Sequence, residues 1–236
     1  MLLSFLQVDA EALAGGAVPQ QEELSFSLID MAVKGGWLML VLLALSVVAI
    51  YIFAERVVAI RKASQIDKNF IKDVNDYLLS GKVRSAKMLC KRSDSSIARM
   101  IEKGVERIDK PLEDIRTAVE NVSNLEVAKL EKGLPILATI SGGAPMIGFL
   151  GTVMGMVQAF FNMAQAGNNI DITLLSGGIY TAMVTTVGGL IVGILAYFGY
   201  NYLTAEVSGV VSKMEASTIS FLDAVQAKKD AKDVEE

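Results

Sequence analysis

The chain has 236 residues, of which 52% are apolar and 20% are charged, and its formal net charge at pH 7 is −4. It contains no histidine and a single cysteine, Cys90, so the most common general base and metal ligand is missing and no cysteine pair can form within the chain. Glycine-rich phosphate loops and nucleophile elbows are absent as well. The composition argues against an enzyme and predicts no metal, no cofactor and no nucleic-acid partner.

The N-terminal part, residues 1–34, is predicted to be an extracytoplasmic segment. Leu24, Leu28 and Met31 recur at helical spacing among acidic residues. This pattern favours a short amphipathic helix on the membrane surface, with a mobile tail as the alternative. Residues 35–54 then read GGWLMLVLLALSVVAIYIFA, about the 20 apolar residues that cross a bilayer core. We predict transmembrane helix 1 here, with the charges after residue 54 anchoring its inner end.

Positive charge concentrates in residues 55–132, which hold seventeen of the twenty-two Lys and Arg residues. Segments rich in Lys and Arg stay on the cytoplasmic side of a membrane. This region is therefore predicted to be cytoplasmic, with the N-terminus outside and a cytoplasmic C-terminal tail at 204–236.

Apolar periodicity divides the cytoplasmic region into helices. The first is predicted at 66–79, ending at a cap formed by Gly81. Short helices at 86–90 and 97–108 follow, and Pro111 is expected to open a longer helix that runs into the second span. Its mixed charges are interpreted as a solvated face.

From Gly133 to Ala205 the sequence carries one charged side chain, Asp171. Two long apolar stretches flank that residue, which predicts transmembrane helix 2 at 133–163, a periplasmic turn at 164–173 and transmembrane helix 3 at 174–203. The predicted fold is an all-α polytopic membrane protein with three transmembrane helices, the long second and third helices extending into the cytoplasm.

Small residues recur at intervals of about four in spans two and three. Such spacing lets helix backbones approach closely inside a membrane. The predicted helix-packing residues are Ala144, Gly148, Gly151, Gly155, Gly189 and Gly193.

Four threonines, Thr152, Thr181, Thr185 and Thr186, are predicted to lie at hydrocarbon depth. A lone threonine hydroxyl usually bonds back to its own helix. Several on two helices beside small residues are expected to line an interior that holds a polar helix or water. None of the predicted spans contains an acidic or basic residue, although a proton path normally uses one. Any titrating group must therefore come from a different polypeptide.

Two segments of spans two and three carry a family resemblance. Residues 144–156 read APMIGFLGTVMGM, residues 178–190 read GIYTAMVTTVGGL, and Tyr200-Asn201 follows. Together with the three-span layout, these segments resemble the ExbB/TolQ/MotA proton-channel family over about residues 30–225, and the ExbB branch most. The length, the span number and the N-terminal extension carry that last preference.

The resemblance implies a subunit of a motor in a bacterial inner membrane, driven by the proton-motive force. It implies a homopentamer whose second and third spans surround two helices of a single-span ExbD-like partner, each bringing a membrane Asp. The work would pass through a TonB-like protein to outer-membrane transport. By motif position, Thr152 and Thr186 match the pore-facing threonines of the family. A TolQ-like or motility stator subunit, a non-conducting membrane scaffold and a solitary channel are the alternatives.

Two positions depart from the family pattern. Thr181 stands where well-known members carry a glutamate in span three, so the proton path would depend on hydroxyls, water and the partner's Asp. Residues 194–196 read ILA where members often have a proline, which predicts a straighter third span.

Overall fold

The computed structural model describes residues 36–67, 69–166 and 172–235. These residues form α-helices joined by short turns and include no β-strand. The predicted N-terminal amphipathic helix and residues 167–171 of the predicted periplasmic turn lie outside the described residues. In chain order the helices are α1 (Trp37–Ser64), α2 (Phe70–Leu79), α3 (Val83–Arg92), α4 (Ser96–Glu106), α5 (Leu112–Glu131), α6 (Leu134–Ala166) and α7 (Ile172–Glu235).

Within the described part of the chain, three helical stretches are long and apolar enough to cross a membrane. They are Trp37–Ser64, Leu112–Gln165 and Leu175–Ala231. The prediction of an all-α protein with three spans, the second and third much longer than a bilayer is thick, is therefore confirmed. The limits of the membrane-embedded parts stay predictions.

Helices α2 to α5 form a bundle around the C-terminal half of α7. Its core contains fully buried apolar side chains from four of these helices, among them Val74, Met100, Ile115 and Phe221. Gly104 allows this packing, because a Cβ at that position would lie 2.7 Å from Cζ of Phe221. The bundle is thus fastened to the same helix that forms the third span.

The bundle helices differ from the prediction mainly at their ends. α2 begins at Phe70 rather than residue 66, because the Asp67 carboxylate accepts a hydrogen bond from the Asn69 backbone N–H (3.1 Å) and holds a turn before it. Gly81 does adopt a positive φ of 74° just beyond α2. The next two helices are Val83–Arg92 and Ser96–Glu106, and α5 begins directly after Pro111.

The prediction that the helix after Pro111 runs unbroken into the second span is wrong at one point. The chain leaves helical geometry between Glu131 and Leu134, where Gly133 has a φ of 87°. Pro135 explains the break: it has no N–H to donate to the Glu131 carbonyl, and its ring would clash with that carbonyl in a continuous helix. In the first turn of α6, where backbone N–H groups have no acceptor within the helix, the proline removes no helical hydrogen bond.

The third span continues without interruption into the bundle. α7 has 64 residues, which corresponds to about 96 Å at 1.5 Å per residue. No proline lies within it, and the straighter third span stays a prediction. α6 and α7 run antiparallel and pack against each other more extensively than any other pair of described helices.

Candidate functional site at the seam between α6 and α7

The contact between α6 and α7 consists of residues with little or no side chain. We call this contact the seam: residues 141–159 of α6 against residues 178–193 of α7. At Gly148, a Cβ would lie 2.9 Å from the Thr185 carbonyl oxygen; at Gly189, it would lie 2.6 Å from the Ala144 carbonyl oxygen. Both neighbours are backbone atoms, so the two helices touch main chain to main chain.

The other predicted packing residues continue the seam in both directions. A Cβ at Gly155 would lie 2.7 Å from that of Ala182, and Gly151 faces the side chain of Thr185. At the bundle end, Gly193 packs on the ring of Pro145, whose Cδ would be 2.6 Å from an added Cβ. Pro145 is a packing residue that was not predicted, although a proline inside a span is a visible signal in the sequence.

Thr152 and Thr186 meet at the centre of the seam, and their hydroxyls hydrogen-bond to each other. Thr186 also donates to the Gly148 carbonyl at 3.1 Å, and Thr152 to the Ala182 carbonyl at 3.2 Å. Each hydroxyl has one proton, so these contacts cannot all be made at once. The pair can therefore exchange one hydrogen-bond pattern for another without either hydroxyl losing every partner.

The remaining two threonines take different positions. Thr185 is 2% exposed, and its hydroxyl donates to the carbonyl of Ala182 in its own helix at 2.7 Å. Thr181 lies one turn before Thr185 on α7 and is half-buried. No hydrogen bond among the described residues joins it to the pair. Thr152 and Thr186 are half-buried, which leaves one edge of the pair accessible from outside the subunit.

The chemistry of the seam follows from these groups. A threonine hydroxyl donates and accepts hydrogen bonds but does not titrate in the physiological range. In a medium of low dielectric constant, a polar group of a partner that reaches the accessible edge of the pair needs such hydrogen bonds. The pair can solvate a proton-carrying group brought to it and cannot itself hold the proton.

A second polar cluster lies near the C-terminal end of α5, where the chain approaches the second span. The Glu126 carboxylate is 3% exposed and accepts hydrogen bonds from Ser96 Oγ (3.0 Å), Arg99 Nη2 (2.5 Å) and Lys129 Nζ (2.7 Å). Burial by itself would raise the pKa of Glu126, but these three donors outweigh it and lower the pKa to about 2.

The interpretation of the α5 charges as a solvated face is wrong for Glu126. Its side chain shares a face of α5 with Val119 and Leu130, which are also buried. The position of this carboxylate within an apolar stripe is a visible signal in the sequence that it could be buried. Its partners on α4 lie 27 and 30 residues away along the chain, so the sequence alone did not show what would neutralise it.

Both the seam and the Glu126 cluster lie in a part of the chain that matches a known protein family. Residues 92–216, slightly more than half of the chain, match the MotA/TolQ/ExbB proton channel family. The chain belongs to this family. The matched residues include the seam, the Thr152–Thr186 pair and the Glu126 cluster.

The chain is also similar in sequence to individual members of this family. A protein of Methanothermobacter thermautotrophicus, named as a homologue of the biopolymer transport protein ExbB, is 26% identical over 190 residues, covering 80% of this chain and 67% of that protein. The ExbB protein of Xanthomonas campestris is 32% identical over 103 residues, or 44% of this chain and 40% of its own. The TolQ protein of Haemophilus influenzae is 33% identical over 93 residues, covering 39% and 40%.

Membership in the family and the three apolar stretches together establish the class of the protein. It is a multi-pass membrane protein and a subunit of a membrane motor of the MotA/TolQ/ExbB type. The similarity to ExbB proteins supports the branch expected from the sequence.

Proposed function

We propose that this protein is the ExbB-like subunit of a motor in a bacterial inner membrane, driven by the proton-motive force. Several copies, five by family resemblance, would form a ring around the membrane helices of a single-span ExbD-like partner. A TonB-like protein would receive the work and energise transport across the outer membrane.

The observation that carries this proposal is the hydroxyl pair inside an uncharged seam. Only Asp171 interrupts 73 residues without a charge, and that residue lies in the predicted turn between the spans. A proton carrier must therefore be a guest, and a carboxylic acid is the group suited to a membrane proton path.

The hydroxyl pair has a defined part in that mechanism. When the guest carboxylate is charged, Thr152 and Thr186 turn their protons from helix carbonyls toward it. When it is protonated, the hydroxyls return to the Gly148 and Ala182 carbonyls, which the structure places at 3.1 and 3.2 Å. The guest thus experiences two different surroundings in its two charge states, and proton flow can bias its position.

Charge distribution supports the proposed orientation. The bundle of α2–α5 lies within residues 55–132, which hold seventeen of the twenty-two cationic residues and would face the cytoplasm. The N-terminus and the turn between spans two and three would face the periplasm.

A TolQ-like role is the second candidate, and one observation favours it. The TolQ relative is as similar to this chain as the ExbB protein of Xanthomonas campestris, at 33% against 32% identity over segments of comparable length. The seam would act in the same way in both. The single-span protein that co-purifies with the chain, and the fold of its periplasmic domain, would decide between them.

Replacing both hydroxyls with methyl groups tests the proposal. The variant Thr152→Val with Thr186→Val keeps the branched shape and removes both donors. Thr139→Val is the matched control, since Thr139 also lies on α6, is exposed, and bonds only to the Pro135 carbonyl of its own helix (2.8 Å). Gradient-dependent uptake of an iron chelate would be measured in cells that lack their own copy, alongside co-purification of the single-span partner.

We expect the double variant to bind the partner normally and to lose about tenfold or more in uptake. Hydrogen bonds to a charged group are worth roughly 1.5–3 kcal/mol, and each 1.4 kcal/mol corresponds to about a factor of ten in rate. Thr139→Val should retain wild-type uptake. Normal uptake in the double variant would overturn the role of the pair and favour a non-conducting scaffold.

A further inference from the structure

A cleft of about 360 Å³ lies between the end of α1, the start of α4 and the end of α5. It is separate from the seam, and charged side chains line it together with Ala59, Ala63 and Leu130. Its cationic side chains come from all three helices: Arg56, Lys62, Arg99, Lys129 and Lys132.

The carboxylates near this cleft are already occupied by some of these cations. Asp94 pairs with Lys62 (2.7 Å) and with Arg99 (3.0 Å). Glu126 is saturated by the three donors described above, and Glu55 pairs with Arg56. Five cationic residues and two carboxylates, Asp94 and Glu126, line the cleft, which therefore keeps a positive surplus even with Glu55 beside Arg56.

The surplus concentrates on two lysines at the end of α5. Lys132 is exposed and makes no ion pair among the described residues, and the side chain of Lys129 is 68% exposed although it also contacts Glu126. Lys132 is free to turn toward a ligand, and Lys129 can do so by leaving Glu126, which keeps its hydrogen bonds to Ser96 and Arg99. Beside them, Arg56 is fixed: it is 8% exposed and donates from Nη1 to the Lys129 carbonyl at 3.1 Å.

The position of the cleft relative to the apolar spans narrows the choice of ligand. Arg56 follows the last residue of the predicted first span by two positions, and Lys132 directly precedes the apolar stretch of the second. At about 1.5 Å per helical residue, these groups lie within a few ångströms of the hydrocarbon boundary. The headgroup layer occupies roughly the next 5–8 Å on each side of a bilayer.

We propose that this cleft binds the phosphate of an anionic phospholipid in the cytoplasmic leaflet. Lys129 and Lys132 would close on the phosphate, with Arg56 as the fixed cation at the back of the cleft. The choice of leaflet rests on the proposed orientation of the protein; the binding itself does not depend on the proton pathway or on a partner. Basic clefts between helices at the cytoplasmic membrane surface commonly recognise anionic headgroups.

Binding at this place would have a structural consequence. Lys132 is adjacent to Gly133, where the helical path from the bundle into the second span is interrupted. A lipid held there would fix the height of that interruption relative to the membrane surface.

The test uses the full chain purified in detergent and native mass spectrometry. Phosphatidylglycerol is titrated in one arm, phosphatidylcholine with the same acyl chains in a second, and inorganic phosphate in a third. The variant Lys129→Gln with Lys132→Gln removes both lysine charges, and Lys72→Gln, which replaces an exposed lysine of α2 outside the cleft, is the matched control. Thermal unfolding of each variant checks that the fold is kept.

Wild type and Lys72→Gln should retain phosphatidylglycerol in preference to phosphatidylcholine and should not retain inorganic phosphate. A basic residue near an anionic surface contributes about 1 kcal/mol, or about fivefold in affinity, so the double variant should bind phosphatidylglycerol roughly 25-fold more weakly. Equal retention of both lipids by the wild type, an unchanged affinity in the folded double variant, or retention of free phosphate would each overturn the proposal. Because no arm measures proton flow or transport, its failure would leave the proposed function standing.

Discussion

Gly189 offers a direct test of the seam as the element that holds the hydroxyl pair. In Gly189→Ala, the new Cβ would lie 2.6 Å from the Ala144 carbonyl oxygen and 2.9 Å from the Gly148 Cα. Ordinary contact for a Cβ begins at 3.4 Å. Neither neighbour is a flexible side chain, so the helices must separate by about 0.8 Å.

That separation acts on the site one turn away. The hydrogen bond from Thr186 to the Gly148 carbonyl, now 3.1 Å long, would lengthen to about 3.9 Å, beyond hydrogen-bonding distance. Overpacking typically costs ~1–3 kcal/mol, and the lost hydrogen bond adds about 1 kcal/mol, while alanine returns roughly 1 kcal/mol of helix propensity. We expect a net destabilisation of about 2 kcal/mol.

Thermal unfolding in detergent and gradient-dependent uptake together measure both effects. A loss of about 2 kcal/mol should lower the Tm by roughly 4–8 °C in a chain of this size. Gly177→Ala is the control, because it lies on the same helix and an added Cβ meets nothing within 4 Å. That variant should keep or slightly raise the Tm, with unchanged uptake.

If Gly189→Ala matched the wild type in both measurements, the seam would not be the element that holds the hydroxyl pair. A finer comparison places Gly189→Ala in the Thr152→Val, Thr186→Val background, where the hydroxyls are already gone. If the glycine acts through the hydroxyl pair, uptake should fall no further there, whereas an additional fall of the same size would show that the two act independently.

Two further predictions concern the bundle. The pKa of Glu126 is lowered to about 2 from an ordinary value of 4.5, so its charge stabilises the fold above pH 4.5 and this contribution is lost as the pH falls toward 2. The Tm of Glu126→Gln should therefore be lower than that of the wild type at neutral pH. On acidification, the Tm of this variant should fall less than that of the wild type. Burial, followed by the charge of Glu102, raises the pKa of the Cys90 thiol to about 12. Maleimide should therefore leave Cys90 unmodified in the folded protein at mildly alkaline pH and label it fully after denaturation, and rapid labelling of folded protein would contradict the buried position.

The parts of the fold that follow from short-range patterns could be predicted from the sequence. The absence of charge over residues 133–205, apart from Asp171, is enough to predict two spans, because any charge in hydrocarbon is costly. The regular spacing of glycines likewise predicts a close helix contact. The geometry then adds which glycine faces which backbone atom.

The parts that depend on distant residues could not be predicted. By composition the four threonines could not be told apart, and only the family resemblance singled out Thr152 and Thr186. The register of α6 against α7 decides that these two meet while Thr181 stands apart. The burial of Glu126 depends on donors from α4 that no local pattern connects to it. The break at Gly133 was visible as a glycine followed closely by a proline, but only the three-dimensional path shows that these residues interrupt the helix.

The contrast between the uninterrupted α7 and the broken path through α5 and α6 has a structural consequence. A continuous helix of 64 residues connects the third span to the bundle through one unbroken series of backbone hydrogen bonds. In the neighbouring path, α5 ends at Glu131 and α6 begins at Leu134, so the helical hydrogen bonds do not continue across Gly133. Within one subunit, a single unbroken helix therefore lies beside one that is divided where the bundle meets the second span.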